Sequence, residues 1–246
     1  KLLLNIKKTV FMTFTINKEN VPLDKITVHY CRDKEQCNDN ICKSISKVPF
    51  TRYLGITYDE NLRWNVHIDN IVMRLRISVY KFCKLRDIFP INIIRNIYLS
   101  LYQAVFQYGI RVWGGLTQKA IKPLQLQQNK IIRICLNKYS LEGSTSQNYK
   151  EFKVLSIISL YKKFAIMWVV KNIENCYNID KSKQTRENRA YDAKINYTIT
   201  SFGQKFVDYL GPKFYNSLDL DLKKKMIEKP KYAKNIIKNW SLMNIE

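Results

Sequence analysis

The sequence predicts an α+β chain: a small antiparallel β region comes first and helices make up the rest. Three observations carry that expectation. Runs rich in β-branched and aromatic residues, parted by turn-prone segments, are confined to the stretch before Asn61. From Asn61 onward, apolar residues recur every three or four positions. The 246 residues are 46% hydrophobic and 13% aromatic, enough to bury the core of one large domain or two small ones and too many for a disordered tail.

Three strands are expected over residues 10–16, 26–30 and 52–58, separated by "NKENVPLD" and a polar loop. Residues 66–89 read as a helix with an inner stripe of Ile68, Ile71, Val72, Leu75, Val79 and Phe82, while Arg74, Arg76, Lys81, Lys84 and Arg86 fall off that stripe. Pro90 ends it and opens the next helix, read as one unbroken face of Ile94, Ile97, Tyr98, Leu101, Ala104, Val105 and Tyr108 closed by Gly109. After the turn in "WGG", a third helix is expected over 123–137 with Pro123 in its first turn. Leu124, Gln128, Ile131, Ile132 and Cys135 point inward, and Lys130 and Arg133 lie nearer the surface. "EGSTSQN" reads as a break, and 155–172 as a fourth helix on Ile157, Leu160, Tyr161, Phe164 and Trp168. A polar linker follows, then a turn in "GPKFYNSL" and a last Lys-rich helix.

The charge narrows the function classes. Forty-two Lys and Arg against 20 Asp and Glu give a net charge of +22, far beyond what solubility requires and attractive to polyanions. The basic residues are spread through structured segments and are not gathered in one juxtamembrane cluster, which favours nucleic acid over a membrane surface. No apolar run approaches the roughly 18 residues of a membrane span; the longest, 164–170, stops at Lys171. The apolar part of the opening "KLLLNIKKTVF" is too short for a secretory signal, so the expected location is nucleus or cytoplasm and the six cysteines are expected as thiols.

Between Asp87 and Glu142 no acidic residue occurs, while Arg95, Arg111, Lys119, Lys122, Lys130, Arg133 and Lys138 all do, so a phosphate backbone across this stretch meets only positive charge. The interleaved Tyr98, Tyr102, Phe106, Tyr108 and Trp113 are either base-stacking platforms or, given their helical spacing, core. His29, Cys31, Cys37 and Cys42 offer four metal donors but lack the paired C-x2-C of a specific zinc motif; free thiols in a loop are the alternative. The catalytic inventory is thin: His67 has no spaced nucleophile, Asp59 and Glu60 read as turn and helix-start residues, no Asp-Asp pair occurs, and Asp219 and Asp221 sit where a helix cap is the commoner role.

In order along the chain, "LLLNIKKTVFMTF", "RYLGITYDENLRWNVHIDNI", "IRNIYLSLYQAVFQYGIRVWGG" and "IKPLQLQQNKIIRICL" resemble the end of the reverse transcriptase of non-LTR retrotransposons, the jockey-like elements in particular. The later "VLSIISLYKKFAIM" and "SFGQKFVDYLGPKFYNSL" resemble segments that follow the polymerase in those elements. The resemblance implies that 1–60 closes the polymerase palm, 61–142 is the helical thumb, 143–196 a helix and polar linker, and 197–246 a C-terminal helical tail. It implies that Asn5, Lys8 and Thr9 fill the family's N-x-x-K-T. It also implies that Tyr53, Leu54, Gly55 and Ile56 hold the primer end through a close backbone approach, against which an ordinary turn glycine is the alternative.

Arg63, Trp64 and the basic helices, including Arg111, would grip RNA, an RNA–DNA hybrid or a DNA primer. The family's metal-binding aspartates lie in a turn before N-x-x-K-T, so the resemblance places them upstream of Lys1, with Mg2+ serving the complete enzyme and no cofactor in this chain. Its partners would be the nucleic acid and the upstream polymerase and endonuclease regions. A non-catalytic nucleic-acid-binding protein or a decayed element is the alternative.

Overall fold

The computed structural model describes residues 4–14, 24–29, 42–139, 143–172 and 191–243. The chain is mostly helical with two small antiparallel strand pairs, and it divides into two compact units, Lys1–Asn70 and Ile71–Glu246.

In the first unit, β1 (Lys25–Val28) pairs antiparallel with β2 (Lys43–Ser46), Ile26 opposite Ile45. β2 was not expected: "KSIS" has a single apolar residue, Ile45, which is buried, and one position cannot register as an alternation. The expected 52–58 strand is instead a hairpin of β3 (Phe50–Tyr53) and β4 (Ile56–Asp59) with a two-residue turn at Leu54 and Gly55. The expected 10–16 strand is replaced, over its described part, by an isolated parallel bridge from Phe11 to Lys47. β propensity reports fit to a half-buried pleat, and Val10 and Phe14 are exposed. Tyr30, Cys31 and Cys37 lie outside the described residues; His29 is exposed and Cys42 buried.

The Asp59 carboxylate organises the entry to the first helix. It accepts hydrogen bonds from the backbone N–H groups of Asn61 (3.2 Å), Arg63 (2.9 Å) and Trp64 (2.7 Å), which settles donors that would otherwise face the turn unpaired. α1 (Asn65–Ile88) follows, and the boundary between the two units falls within it. Its expected stripe is buried at Ile68, Ile71, Val72, Leu75 and Phe82.

In the second unit, α2 (Ile91–Ile97), a π-helical turn (Tyr98–Gln103) and α3 (Ala104–Gln107) run on without a break. The buried face is Ile94, Tyr98, Tyr102 and Phe106; the expected Leu101, Ala104 and Tyr108 are exposed. The cause is geometric. An α-helix has 3.6 residues per turn, so side chains four apart drift about 40° per step, and a wider π turn takes up that drift and keeps the four on one face. The rings then interlock: Tyr98 stacks on Tyr102 at 5.3 Å, and Phe82 and Phe152 meet Tyr102 and Tyr98 edge-on at 5.8 and 5.3 Å.

Gly109, in the left-handed conformation, precedes α4 (Ile110–Trp113), and α5 spans Gln118–Cys135. α5 thus begins five residues before Pro123, which lies inside it and costs it one backbone hydrogen bond. Buried Gln128 is the central polar tie. Its amide donates to Tyr98 Oη and to the Leu155 carbonyl, both at 2.9 Å, and accepts from Ile157 N–H at 3.1 Å.

"EGSTSQN" is no break: Ser144 caps α6 (Thr145–Phe152) by accepting from Gln147 N–H. α7 (Ile157–Lys171), capped in the same way by Ser156, is buried on nearly every side. Residues 173–190, the expected linker, lie outside the described set. The expected "GPKFYNSL" turn is mostly helix, α8 (Val207–Asn216), with Gly211 and Pro212 packed close to Val169, Ala165 and Trp168 of α7. α9 (Leu220–Glu228) and α10 (Ala233–Met243) complete a core of Ile166, Val169, Tyr215, Met226 and Ile237.

Candidate nucleic-acid interface

In the first unit the candidate residues gather at the β3–β4 hairpin. Leu54 at φ 48° and Gly55 at φ 82° are the central pair of a two-residue turn with both residues left-handed, which suits the twist of a hairpin and normally selects Asn-Gly. A leucine there costs about 1 kcal/mol of backbone strain. Tyr53 and Leu54 are 64% and 69% exposed, so the strained tip presents two large apolar side chains outward. Gly55 therefore has a conformational reason of its own.

Lys8 is exposed in a 3-10 turn (Ile6–Lys8) whose Asn5 carbonyl accepts from Lys8 N–H (3.0 Å) and Thr9 Oγ1 (2.8 Å). Arg63 is exposed in the loop that Asp59 holds. Trp64 is placed differently: it is 4% exposed and packs against Tyr58 and His67 at 5.2 and 6.3 Å, a core residue beneath the hairpin. His67 is buried beside it, Nδ1 accepting from Thr57 N–H, and burial followed by the Arg52 charge lowers its pKa to about 4, so it is neutral at pH 7.

In the second unit Arg74, Arg76, Lys81 and Lys84 are exposed along α1, and Arg86 is paired with Asp87. Between these bases runs a row that the stripe analysis missed: Met73, Ile77 and Tyr80, four and three residues apart, are 59%, 70% and 69% exposed. α1 is therefore apolar on two faces. Its outer face pairs an apolar ridge with flanking cations, and the Lys84 ammonium lies 5.8 Å from the Tyr80 ring centroid.

Arg76 and Lys130 meet in a groove of about 520 Å³ between α1 and α5, with Tyr80 and Gln127 in its walls. Lys130 and Arg133 share an adjoining hollow of about 240 Å³ with Lys138. Arg111 is exposed on α4 and lies in neither. Two other bases of the acid-free stretch serve the fold. Arg95 clamps the Lys153 carbonyl at the end of α6, and Lys138 binds Glu151 and Asn148. Tyr98, Tyr102, Phe106 and Trp113 are core, and Tyr108 is exposed.

Lys223 of the Lys-rich segment is buried against Asp192 at 2.8 Å and the Asn216 carbonyl at 2.8 Å. Burial pushes the Cys135 thiol up to about 12, so it is inert at pH 7. Among the described residues no three His, Cys, Asp or Glu gather as metal donors, so these side chains do not fit the two-metal site of a polymerase. No helix among them is long and apolar enough to cross a membrane.

Over 86 residues, 34% of this chain, the sequence is 31% identical to a probable RNA-directed DNA polymerase from transposon X-element of Drosophila melanogaster. The match covers 10% of that protein's length. It supports a region related to a transposon reverse transcriptase. No protein-family model matches the chain, and no solved structure does.

Proposed function

We propose that the chain is the palm end, thumb and following region of a non-LTR, jockey-like reverse transcriptase, and that its work is to grip the primer–template nucleic acid. The observation that carries the reading is the outer face of α1 with the adjoining α5 groove. Exposed Arg74, Arg76, Lys81, Lys84 and Lys130 flank an apolar ridge. Such a face suits a nucleic-acid groove: the cations take phosphates, and Met73, Ile77 and Tyr80 lie against sugars. The hairpin tip at Tyr53–Gly55 meets the primer end. The chain supplies grip and orientation, and Mg2+ chemistry belongs to carboxylates upstream.

The test is binding of the chain to an RNA–DNA hybrid, a single strand and heparin across a salt series. A gripping face prefers the hybrid. R74A/K81A should lower its salt slope by about 2, at roughly 0.9 per phosphate contact on a duplex. Equal binding of hybrid and heparin, or an unchanged slope, refutes the reading. Gly55→Asn isolates the close approach, because asparagine tolerates the left-handed turn yet adds a side chain. It should keep the fold and weaken hybrid binding.

A further inference from the structure

We propose that the concavity between α5 and α7 seats a nucleotide of an unpaired strand, its phosphates held by Lys119, Lys122 and Lys162. The inference rests on the nucleic-acid reading above but concerns a different surface from the α1 face. The concavity measures about 900 Å³, within the range of about 300–1,000 Å³ usual for small-molecule sites, and no Asp or Glu lines it. Lys119 and Lys122 stand exposed, about 4.5 Å apart along the α5 axis, and Lys162 reaches in from α7 with its ammonium 5.9 Å from the Phe214 ring centroid. None of the three takes part in an ion pair among the described residues.

The rest of the lining matches the rest of a nucleotide. Ile121, Leu126 and Ile158 give an apolar floor for the face of a base, and Gln118 and Asn129 bring amides to its edge. A carboxylate side chain of an acidic peptide supplies the charge and neither of the other two. Leu126 and Asn129 also line the hollow at Lys130 and Arg133, so the concavity opens directly onto that basic surface. From Lys119 to Arg133 the α5 axis rises about 21 Å, the length of roughly six stacked nucleotides at 3.4 Å each.

The shape selects an unpaired strand. A duplex carries its phosphates on a convex cylinder, and a nucleotide enters a hollow only after leaving its pair, at a cost of a few kcal/mol.

The test uses the full chain, a 12-nucleotide single strand and a 12-base-pair RNA–DNA hybrid, read by fluorescence anisotropy across a salt series. K119Q/K122Q/K162Q should weaken the single strand about tenfold or more and make its salt slope shallower by about 2, three contacts at roughly 0.7 each. Hybrid affinity should stay within about twofold. K119Q/K122Q, confined to exposed positions, should lower the slope by about 1.4 and guards against misfolding through the half-buried Lys162. Unchanged single-strand binding, a parallel loss of strand and hybrid, or equal displacement by polyglutamate of matched charge overturns the inference. The gripping reading fails by a separate result, a wild-type chain that does not prefer the hybrid to heparin.

Discussion

Replacing Gln128 with leucine tests the polar tie on which the second unit's packing depends. Leucine nearly conserves volume, so the effect isolates hydrogen bonding. The substitution strips the Tyr98 hydroxyl and the Leu155 carbonyl of the 2.9 Å bonds from Gln128 and takes one partner from Ile157 N–H, which keeps Gln125 Oε1 at 3.3 Å. Two buried polar groups are thereby orphaned at about 1–3 kcal/mol each, partly offset by the apolar gain, for a net loss of about 2–4 kcal/mol. Urea titration followed by circular dichroism reads this as a lower midpoint at unchanged slope. Removing the hydroxyl as well should relieve part of the loss, so Y98F/Q128L should be about 1 kcal/mol more stable than Q128L. A loss under about 0.5 kcal/mol, or no relief in the double variant, refutes the reasoning.

His67, with its folded pKa lowered from 6.5 to about 4, binds its proton more readily in the unfolded chain. Stability of the first unit should therefore fall as pH drops from 6.5 towards 4, by up to about 3 kcal/mol, and His67→Asn should flatten that limb in Trp64 fluorescence melts. Lys163 is buried on α7, and burial, then the Lys238 and Lys234 charges, lowers its pKa from 10.5 to about 8. Below pH 8 it is charged in both states and its cost is fully present; stability should rise with pH from 8 to 10.5. Lys163→Met should raise stability at pH 7 by about 1–3 kcal/mol in the same urea assay. Gly115→Ala places a methyl 1.8 Å from the Lys205 carbonyl oxygen, backbone that cannot swing aside, and should lower the melting temperature by several degrees, about 2–4 °C per kcal/mol.

What the sequence made legible was what periodicity alone decides. The inner stripes of α1 and α5 were readable because an α-helix repeats its face every 3.6 residues and both helices are regular where those stripes lie. The face of Ile94, Tyr98, Tyr102 and Phe106 was not, because a π turn changes the period and nothing in "YLSLYQ" announces one. Pro123 misled because a proline usually sits in the first turn, whereas here α5 absorbs it further in. Gly115 and Gly211 read as turn punctuation, yet each lies close to a neighbouring segment, a property of tertiary packing that local sequence does not carry.

The site divides along the same line. Exposed bases on α1 follow from the stripe they avoid, but burial of Trp64 depends on a hairpin folding over it. Lys119 and Lys122 stood in the acid-free run, which was their only signal. Lys162, from a helix 26 positions beyond the end of α5 at its own position in α7, becomes their neighbour only in the folded chain.

Photocrosslinking from an RNA–DNA hybrid carrying reactive groups along one backbone, with mass-spectrometric mapping on the full chain, tests the central claim most directly. The account predicts adducts on Tyr53–Gly55 and along α1 and α5 at Met73–Lys84 and Lys130. Adducts confined to α9 and α10, or scattered evenly over the lysines of the whole chain, would contradict it.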